Sequence, residues 1–193
     1  MAKLYFYYSA MNAGKTTTLL QADFNYKERG MNTCLYTAAL DDRYEQGEIT
    51  SRIGLKEKAN LFTSNTNLYE ELSAHFIDEH FSCVLVDECQ FLTAKQVDDL
   101  AQFCDHKDLP VLCYGLRTDF KSELFEGSKR LLAIADELVE LKTICKCGAK
   151  ATMNMRLDQN NQPVKDGQQT EIGGNDKYIS LCRKHFNQMM TAD

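Results

Sequence analysis

Residues 9–16 read S-A-M-N-A-G-K-T, and the fold that we expect follows from this stretch. An apolar run of strand length, residues 4–8, comes directly before it. Residues 16–29 carry apolar side chains at helical spacing, and Gly30 follows as a C-cap. Strand, loop and helix in this order predict that the loop binds phosphate. In such a loop, backbone N–H groups and the helix N-terminus converge on anionic oxygens.

Three residues of this loop have the chemistry that phosphate binding requires. Gly14 lets the backbone approach a phosphate, Lys15 can reach the β and γ oxygens, and the Thr16 hydroxyl is a ligand for Mg²⁺. Ser9 stands where the usual pattern has its first glycine, so we expect backbone strain or a different turn there. An ordinary turn without a ligand is the alternative interpretation.

Length, composition and charge limit the classes of protein to consider. With 193 residues, 44% of them hydrophobic, the chain can bury one good core beside a small additional unit. No apolar run approaches the ~20 residues that cross a bilayer, and Met1-Ala2-Lys3 leads straight into a strand. We therefore expect a soluble, cytoplasmic protein without a membrane partner. The net charge of -6 argues against a nucleic-acid polymer as partner, because that binding depends on Lys and Arg neutralising phosphates.

Strands and helices alternate along the next part of the chain. We predict strands at 32–39, 83–86, 111–114 and 138–144, and helices that begin at Asn67, Thr93 and Ser128. Asn67 and Thr93 are each followed three residues later by Glu or Gln, which is a signal for a helix N-terminus. The alternation predicts a parallel sheet covered by helices on both faces.

The polar segment 44–60 shows no sustained period and is predicted to be a mobile loop. It follows Asp41-Asp42-Arg43, which should lie at the carboxyl edge of the second strand, where ligands bind in open α/β sheets. The cations Arg43, Arg52, Lys56 and Lys58 could meet phosphates or form a solvated surface, and the sequence leaves both readings open.

Two carboxylates end the apolar run at residues 83–86. Asp87 is predicted to hold Mg²⁺ beside Thr16, and Glu88 is predicted to act as a general base, as neighbouring acids do in phosphate-loop enzymes. The alternative is that both residues only begin a loop or cap a helix.

The eight cysteines fall into two groups. In a chain without a leader they indicate reduced thiols or a metal site rather than disulfides. Residues within apolar segments are predicted to fill the core: Cys34, Cys83, Cys104 and Cys113.

A second, smaller unit is predicted from Cys145 onward, where the composition changes. Its two close pairs, Cys145 with Cys147 and Cys182 with His185, have ligand types and spacing that suit one structural Zn²⁺. Unmetallated core cysteines are the alternative. Between the pairs we predict a half-buried strand at 151–157 and a polar loop at 158–169, either a lid or a surface excursion, and a final helix should carry His185.

Taken together, these motifs resemble the thymidine kinase family that bacteria, vertebrates and poxviruses share. The matching stretches are S-A-M-N-A-G-K-T, D-D-R, V-L-V-D-E-C-Q-F, T-D-F, C-x-C, G-G-N-D-K-Y and C-x-x-H. The resemblance implies a P-loop α/β domain at 1–143 and a zinc-binding lasso domain at 144–193. It implies transfer of the γ-phosphoryl of ATP to the 5′-hydroxyl of thymidine, with Glu88 as general base, inhibition by thymidine triphosphate, and a homotetramer.

The resemblance also implies a set of binding residues. ATP and its phosphates would be bound by Ser9, Ala10, Met11, Asn12, Ala13, Gly14, Lys15, Thr16, Asp87, Glu88, Cys89 and Gln90. The nucleoside would be bound by Met11, Asp41, Arg43, Gln90, Phe91, Leu116, Phe120, Glu171, Ile172, Gly173, Gly174 and Tyr178. Glu171 departs from the family, which more often has an apolar residue at that position of the lasso.

Two other functions are alternatives to a kinase. The D-E-x-Q stretch at 87–90 also resembles the acidic motif of DNA-dependent motor ATPases, but the acidic balance and the lack of a basic groove argue against a motor. A non-catalytic nucleotide sensor would not need Glu88 beside Asp87. A nucleoside phosphorylation assay separates the three.

Overall fold

The computed structural model describes residues 1–39, 47–171 and 177–191, and its regular elements alternate as expected. The strands are β1 (Leu4–Ser9), β2 (Cys34–Ala38), β3 (Glu48–Thr50), β4 (Lys56–Lys58), β5 (Asn60–Phe62), β6 (Val84–Val86), β7 (Val111–Leu116), β8 (Glu137–Glu140), β9 (Thr143–Ile144), β10 (Lys150–Ala151), β11 (Met153–Arg156) and β12 (Tyr178–Leu181). The helices are α1 (Lys15–Glu28), α2 (Leu68–Glu79), α3 (Ala94–Lys107), α4 (Glu126–Ile134) and α5 (Arg183–Thr191).

The largest sheet has six strands in the order β5-β2-β6-β7-β1-β8, and every neighbouring pair is parallel. Its inner strands are short apolar runs, and all three residues of β6 are buried. Such runs are typical of parallel strands with helices on both faces. The predicted fold class, a parallel sheet flanked by helices, is confirmed.

The apolar residues of this sheet divide between two clusters, one on each face. Val84 and Val86 pack with α2, α3 and α4, whereas Leu85, between them, packs with Leu19 and Leu20 of α1. This division follows from the two-residue repeat of a strand. The four cysteines predicted to fill the core are all buried, which confirms that prediction.

Side-chain caps start two of the helices as the sequence predicts. The Asn67 side chain accepts a hydrogen bond from the backbone N–H of Glu70 at 3.3 Å. Thr93 and Gln96 form a reciprocal capping box at the start of α3. Each cap satisfies backbone N–H groups that a helix leaves without partners, and its loss typically costs ~1 kcal/mol.

The prediction of a mobile loop at 44–60 is wrong for the part of it that the structure describes. β3 and β4 form an antiparallel ribbon that we call the β3–β4 ribbon, and β5 is an edge strand of the large sheet. Each of these strands has three residues, too few to produce a visible period. In the ribbon, polar side chains alternate around the buried Ile49 alone.

The strand predicted at 138–144 is divided between two sheets. β8 pairs with β1 up to Glu140, opposite Tyr8, and β1 ends one residue later at Ser9. The chain therefore has no partner along which to continue, and Thr143 and Ile144 pair instead with β10.

The described residues after Lys142 have an apolar cluster of their own. Two-stranded pairs, β9 with β10 and β11 with β12, pack with α5 around Met155, Leu181 and Phe186. The strand predicted near 151–157 is present as β11, but it is not half-buried, because Asn154 and Arg156 are buried with Met155. We call residues 143–191 the C-terminal unit; its status as a separate domain stays a prediction. Of the helices that the structure describes, none has the length and apolar character to cross a membrane.

Candidate active site

The loop at 9–16 connects the end of β1 to the start of α1. Gly14 is the N-cap of α1 and has φ +75, a left-handed conformation that glycine adopts without steric cost. Asn12 also has positive φ. Ser9 does not, because it is the last residue of β1. Of the two outcomes expected at Ser9, backbone strain is absent and a different turn is present, because the loop makes its left-handed turns at Asn12 and Gly14.

Ser9 has a polar role in the loop. Its hydroxyl donates a hydrogen bond to the Ala10 carbonyl at 2.6 Å and accepts one from the Lys15 ammonium at 3.2 Å. A glycine at this position could not accept a hydrogen bond through a side chain. The Lys15 side chain is thus directed back over the loop, where we expect the phosphates to bind.

Thr16 and Asp87 lie side by side between the loop and the end of β6. The Thr16 hydroxyl donates a hydrogen bond to Asp87 Oδ2 at 3.0 Å, and Asp87 Oδ1 accepts one from the Glu88 backbone at 2.9 Å. Burial, followed by the negative charge of Glu88, raises the pKa of Asp87 to about 7. A hydroxyl beside a buried carboxylate is a set of hard oxygen ligands that suits Mg²⁺.

Glu88 has an unusual backbone conformation, with φ +51. A left-handed glutamate costs of order 1–3 kcal/mol, and such strain is concentrated at functional sites. The Glu88 carboxylate accepts a hydrogen bond from Gln90 Nε2 at 2.5 Å, and Gln90 Oε1 accepts one from the Leu116 backbone at 3.0 Å. Gln90, which is buried, thus holds Glu88 in place from the end of β7.

One cavity of about 300 Å³ joins the loop to a group of aromatic residues. At its loop end are residues 12–17, together with Glu88. At its aromatic end are Phe91, Leu116, Phe120 and Tyr178. The predicted site residues that line this cavity are Met11, Asn12, Ala13, Gly14, Lys15, Thr16, Glu88, Gln90, Phe91, Leu116, Phe120, Glu171 and Tyr178.

Other predicted site residues do not line the cavity. Ser9, Ala10, Asp87 and Cys89 are buried behind its wall. The Cys89 thiol lies where a side chain on Gly115 would have to go, which indicates packing rather than ligand contact. A further five lie outside the described residues: Asp41, Arg43, Ile172, Gly173 and Gly174.

Several residues of the cavity wall were missed from the sequence, and Asn154 is the clearest case. Its Oδ1 accepts a hydrogen bond from the Met11 backbone at 2.8 Å, and its Nδ2 donates one to the Thr118 carbonyl at 2.9 Å. Ser180 in β12 donates to the Met11 carbonyl at 2.6 Å. Both backbone groups of Met11 are therefore bound by the C-terminal unit. The other missed residues are Thr17, Thr50, Ile53, Thr118, Asp119, Phe125, Gln169 and Thr170. Arg52, one of the cations for which the sequence allowed phosphate contact, also lines the cavity.

The aromatic end is held by charged groups behind it. The Arg156 guanidinium lies 3.8 Å from the centre of the Phe120 ring, in cation–π geometry. It also donates a hydrogen bond to the Gln168 carbonyl at 3.0 Å and lies 3.4 Å from the Glu171 carboxylate. The Tyr178 hydroxyl donates to the Glu171 carbonyl at 2.7 Å.

The charge of Glu171 thus has a structural explanation. Its carboxylate pairs with Lys177 at 2.8 Å as well as with Arg156, and hydrogen bonding to Lys177 lowers the pKa of Glu171. An ionised glutamate at this position fixes the segment that contacts Tyr178, through charges rather than through apolar packing.

The cluster of Cys145, Cys147, Cys182 and His185 could hold a metal ion, since the four ligand atoms lie within 4.8 Å of one another. The Cys147 and Cys182 sulfurs are 3.9 Å apart, close to the ~3.8 Å expected for two thiolates on tetrahedral Zn²⁺ with bonds of ~2.3 Å. His185 Nδ1 is 3.3 Å from the sulfur of Cys145 and 3.4 Å from that of Cys182. Burial of Cys145 opposes its ionisation, but hydrogen bonds from the Cys182 and Cys147 backbone and the His185 side chain lower its pKa to about 6.

Comparison with known proteins identifies the family of this chain. A family model described as thymidine kinase matches residues 2–186. The thymidine kinase of Zymomonas mobilis is 59% identical over 192 residues, which cover 100% of both chains. That of Escherichia coli K12 is 58% identical, covering 100% of this chain and 94% of the relative. That of Vibrio vulnificus is 59% identical, covering 98% of this chain and 99% of the relative.

One solved structure also aligns, a crystal structure of a DNA replication initiation factor. Its TM-score is 0.42 at 17% identity, covering 73% of this chain and 40% of that chain. This likeness is too weak to support an argument about fold.

Proposed function

The chain belongs to the thymidine kinase family, and on this premise we propose that it transfers the γ-phosphoryl group of ATP to the 5′-hydroxyl of thymidine. The observation that carries the proposal is the single cavity that joins the phosphate loop to the aromatic end, with Glu88 in its wall. A kinase must bring a hydroxyl and a γ-phosphate together, and one continuous cavity allows this.

The loop end supplies binding and charge for the phosphates. The backbone N–H groups at Gly14 and the N-terminus of α1 bind phosphate oxygens, and Lys15 neutralises the β and γ charges. Thr16 and Asp87 would hold the Mg²⁺ of Mg-ATP, which neutralises further phosphate charge. Of the proposed ATP contacts, Ser9 acts through Lys15, and Ala10, Met11, Asn12 and Ala13 through the course of the loop.

Glu88 takes the proton of the attacking hydroxyl. The left-handed backbone at Glu88 and the hydrogen bond from Gln90 fix the carboxylate before substrate arrives. The new P–O bond forms as the bond to the ADP oxygen breaks, and the hydroxyl proton passes to Glu88. General-base assistance of this kind contributes ~10²–10⁴-fold to rate.

The aromatic end binds the nucleoside. Phe91 and Phe120 give flat apolar walls for a pyrimidine. Tyr178, the first residue of β12, lines the same end of the cavity. Met11 and Leu116 are the apolar contacts proposed for the thymine methyl. The roles proposed for Asp41 and Arg43 at the sugar, and for residues 172–174 at the base, rest on the family resemblance.

The metal cluster has a structural role. Three cysteines and one histidine fill a tetrahedral shell, so a bound Zn²⁺ would have no open position for a substrate. The cluster ties β9–β10 to α5 and stabilises a unit whose own apolar cluster is small. We propose that this unit, at 144–193, is a separate lasso domain beside a P-loop domain at 1–143.

Three further proposals follow from the family. The enzyme works in the cytoplasm, where ATP and DNA precursors are used, and it is a homotetramer. Thymidine triphosphate inhibits it by placing its base at the aromatic end and its phosphates toward Lys15, since one cavity accommodates both. Inhibition should fall as thymidine rises, and Tyr178→Ala should weaken binding of thymidine and inhibitor together. Equal inhibition at all thymidine concentrations would require a separate regulatory site.

The decisive experiment is a panel of nucleosides with Mg-ATP, scored for monophosphate product, with single-stranded DNA as a further sample. Formation of thymidine monophosphate supports the proposal. ATP hydrolysis that only DNA stimulates would support a motor ATPase instead. Tight ATP binding without any product would support a sensor.

A further inference from the structure

The tip of the β3–β4 ribbon is a tight turn with a fixed backbone. The Ser51 N–H donates to the Leu55 carbonyl at 2.8 Å, and the Leu55 N–H donates to the Ser51 hydroxyl at 2.9 Å. Gly54 donates to the Ser51 carbonyl at 3.0 Å and has φ +87, which favours glycine. Because Ser51 is itself buried, the turn presents Arg52 at a defined position.

The ribbon is anchored to the helix that begins at the phosphate loop. Ile49, 2% exposed, packs in the same apolar cluster as Leu19 and Leu20 of α1. The Ala59 N–H closes the base of the ribbon through a 2.9 Å hydrogen bond to the Gly47 carbonyl. Core packing therefore sets the position of the turn relative to the N-terminus of α1.

The turn forms part of the wall of the kinase cavity. Thr50, Arg52 and Ile53 line it together with residues 12–17 of the loop end. Among the described residues of this wall, only Lys15 and Arg52 are cationic. A nucleoside triphosphate carries several negative charges, and Arg52 is one of the two side chains in the described part of this wall that can compensate them.

On this juxtaposition we propose that Arg52 is a further catalytic residue, which binds the transferring phosphoryl group. The inference rests on the proposed kinase function. As the phosphoryl group moves from ADP to the 5′-oxygen, negative charge spreads over its three equatorial oxygens. The planar guanidinium can donate two parallel hydrogen bonds to those oxygens, and no bond to Arg52 forms or breaks. Lys15 holds the phosphates from the loop, and Arg52 holds them from the ribbon.

The test compares Arg52→Ala, Arg52→Lys and Arg52→Gln with the wild type and with Lys58→Ala. Lys58 is an exposed cation of β4 outside the cavity wall, so its variant removes the same charge from the same ribbon. We expect kcat to fall about 10²–10³-fold in Arg52→Ala and Arg52→Gln, as when one donor to a developing charge is removed. The KM for thymidine should stay near the wild-type value. The kcat of Arg52→Lys should lie between those of Arg52→Ala and the wild type. Added guanidinium ion should raise the turnover of Arg52→Ala but not that of the other proteins.

Three results would overturn the proposal. They are near wild-type turnover in Arg52→Gln, an equal loss in Lys58→Ala, or a rise in the thymidine KM with kcat unchanged. Thermal unfolding of each variant shows whether it is folded, and Arg52→Lys and Arg52→Gln decide the matter if the alanine variant is not. A wild-type enzyme that makes no thymidine monophosphate would refute the kinase proposal, which is a different failure.

Discussion

The two ends of the cavity are built in different ways. Most of the loop end comes from two short stretches, residues 9–17 and 87–88, to which the β3–β4 ribbon adds Arg52. It works through backbone groups and through the side chains of Lys15, Thr16, Asp87 and Glu88. The aromatic end collects side chains from β7, β11, β12 and the segments around them. The phosphate loop itself is therefore local in the sequence, whereas recognition at the aromatic end depends on contacts between distant parts of the chain.

The two ends also differ in how they are held. At the loop end the structure keeps unfavourable features, a buried Asp87 and a left-handed Glu88. At the aromatic end Asn154 and Glu171 have polar partners, and of the groups described there the buried Arg156 Nε is without a hydrogen bond. We therefore expect loop-end changes to act on turnover and aromatic-end changes to act on nucleoside affinity.

Glu88→Gln should give the largest effect and tests the loop end directly. Gln keeps the size of the side chain and can still accept the hydrogen bond from Gln90, but it cannot take a proton. We expect kcat to fall ~10²–10⁴-fold while ATP binding is retained. Steady-state kinetics and calorimetric ATP titration measure the two quantities. Glu28→Gln, an exposed change at the end of α1, is the control. Turnover near wild type would remove Glu88 from its role.

Cys182→Ser should give the next largest effect and act through the C-terminal unit. Loss of one ligand opens the metal shell and should loosen residues 143–191 before the large sheet. The expected results are loss of zinc by elemental analysis, faster hydrogen exchange in β11 and β12, and a raised KM for thymidine. Cys104→Ala, which alters a buried thiol outside the cluster, should keep its zinc. Folded, active wild-type protein without zinc would contradict the assignment.

Arg156→Met should have an intermediate effect confined to nucleoside affinity. It removes the cation–π contact with Phe120 and the hydrogen bond to Gln168 but keeps much of the volume. A loss of ~1–2 kcal/mol corresponds to a KM for thymidine raised about tenfold, with the KM for ATP unchanged. Lys177→Met, which removes the exposed partner of Glu171, should change affinity less. A fall in kcat alone would erase the distinction between the two ends.

Asp87→Asn gives the smallest of the effects predicted here, a change in the melting temperature of the ligand-free protein. Most substitutions of buried residues lower the melting temperature, whereas this one should raise it. Burial raises the pKa of Asp87 from 3.8 to about 7, so the ionised carboxylate destabilises the folded state. This cost is absent below the unfolded pKa, grows as pH rises toward 7, and is complete above it.

Ligand-free Asp87→Asn should therefore melt a few degrees above the wild type at pH 8, and the difference should shrink at pH 5. Thermal scans at both pH values measure this. Asp98→Asn, an exposed change, is the control and should show no such trend. A lower melting temperature at pH 8 would contradict the argument.

Prediction from sequence succeeded where the signal is local. A few adjacent residues are enough to predict the helix caps at Asn67 and Thr93, the buried strand β6 and the loop before α1. The short strands β3, β4 and β5 were not predicted, because three residues are too few to show the two-residue repeat of a strand.

Asn154 was not predicted as a residue of the cavity wall for another reason. A polar residue that alternates with apolar ones in a strand predicts a solvent-facing side, but Asn154 is 3% exposed. It turns toward Met11, 143 residues away, and no pattern within the strand contains that partner. The aromatic end could therefore be predicted only through the family resemblance, whereas the loop end followed from residue chemistry.

The order of strands in the large sheet has a consequence for synthesis of the chain. The N-terminal strand β1 lies between β7 and β8, which begin at Val111 and Glu137. On the ribosome, the strand that leads into the phosphate loop is made before the other strands of this sheet, and it has no neighbour in the sheet until residues 111–116 have been made. At ordinary elongation rates this wait lasts roughly 5–20 s. During that time its aromatic run, L-Y-F-Y-Y, has no strand beside it, so we expect this stage of synthesis to be the one most prone to aggregation.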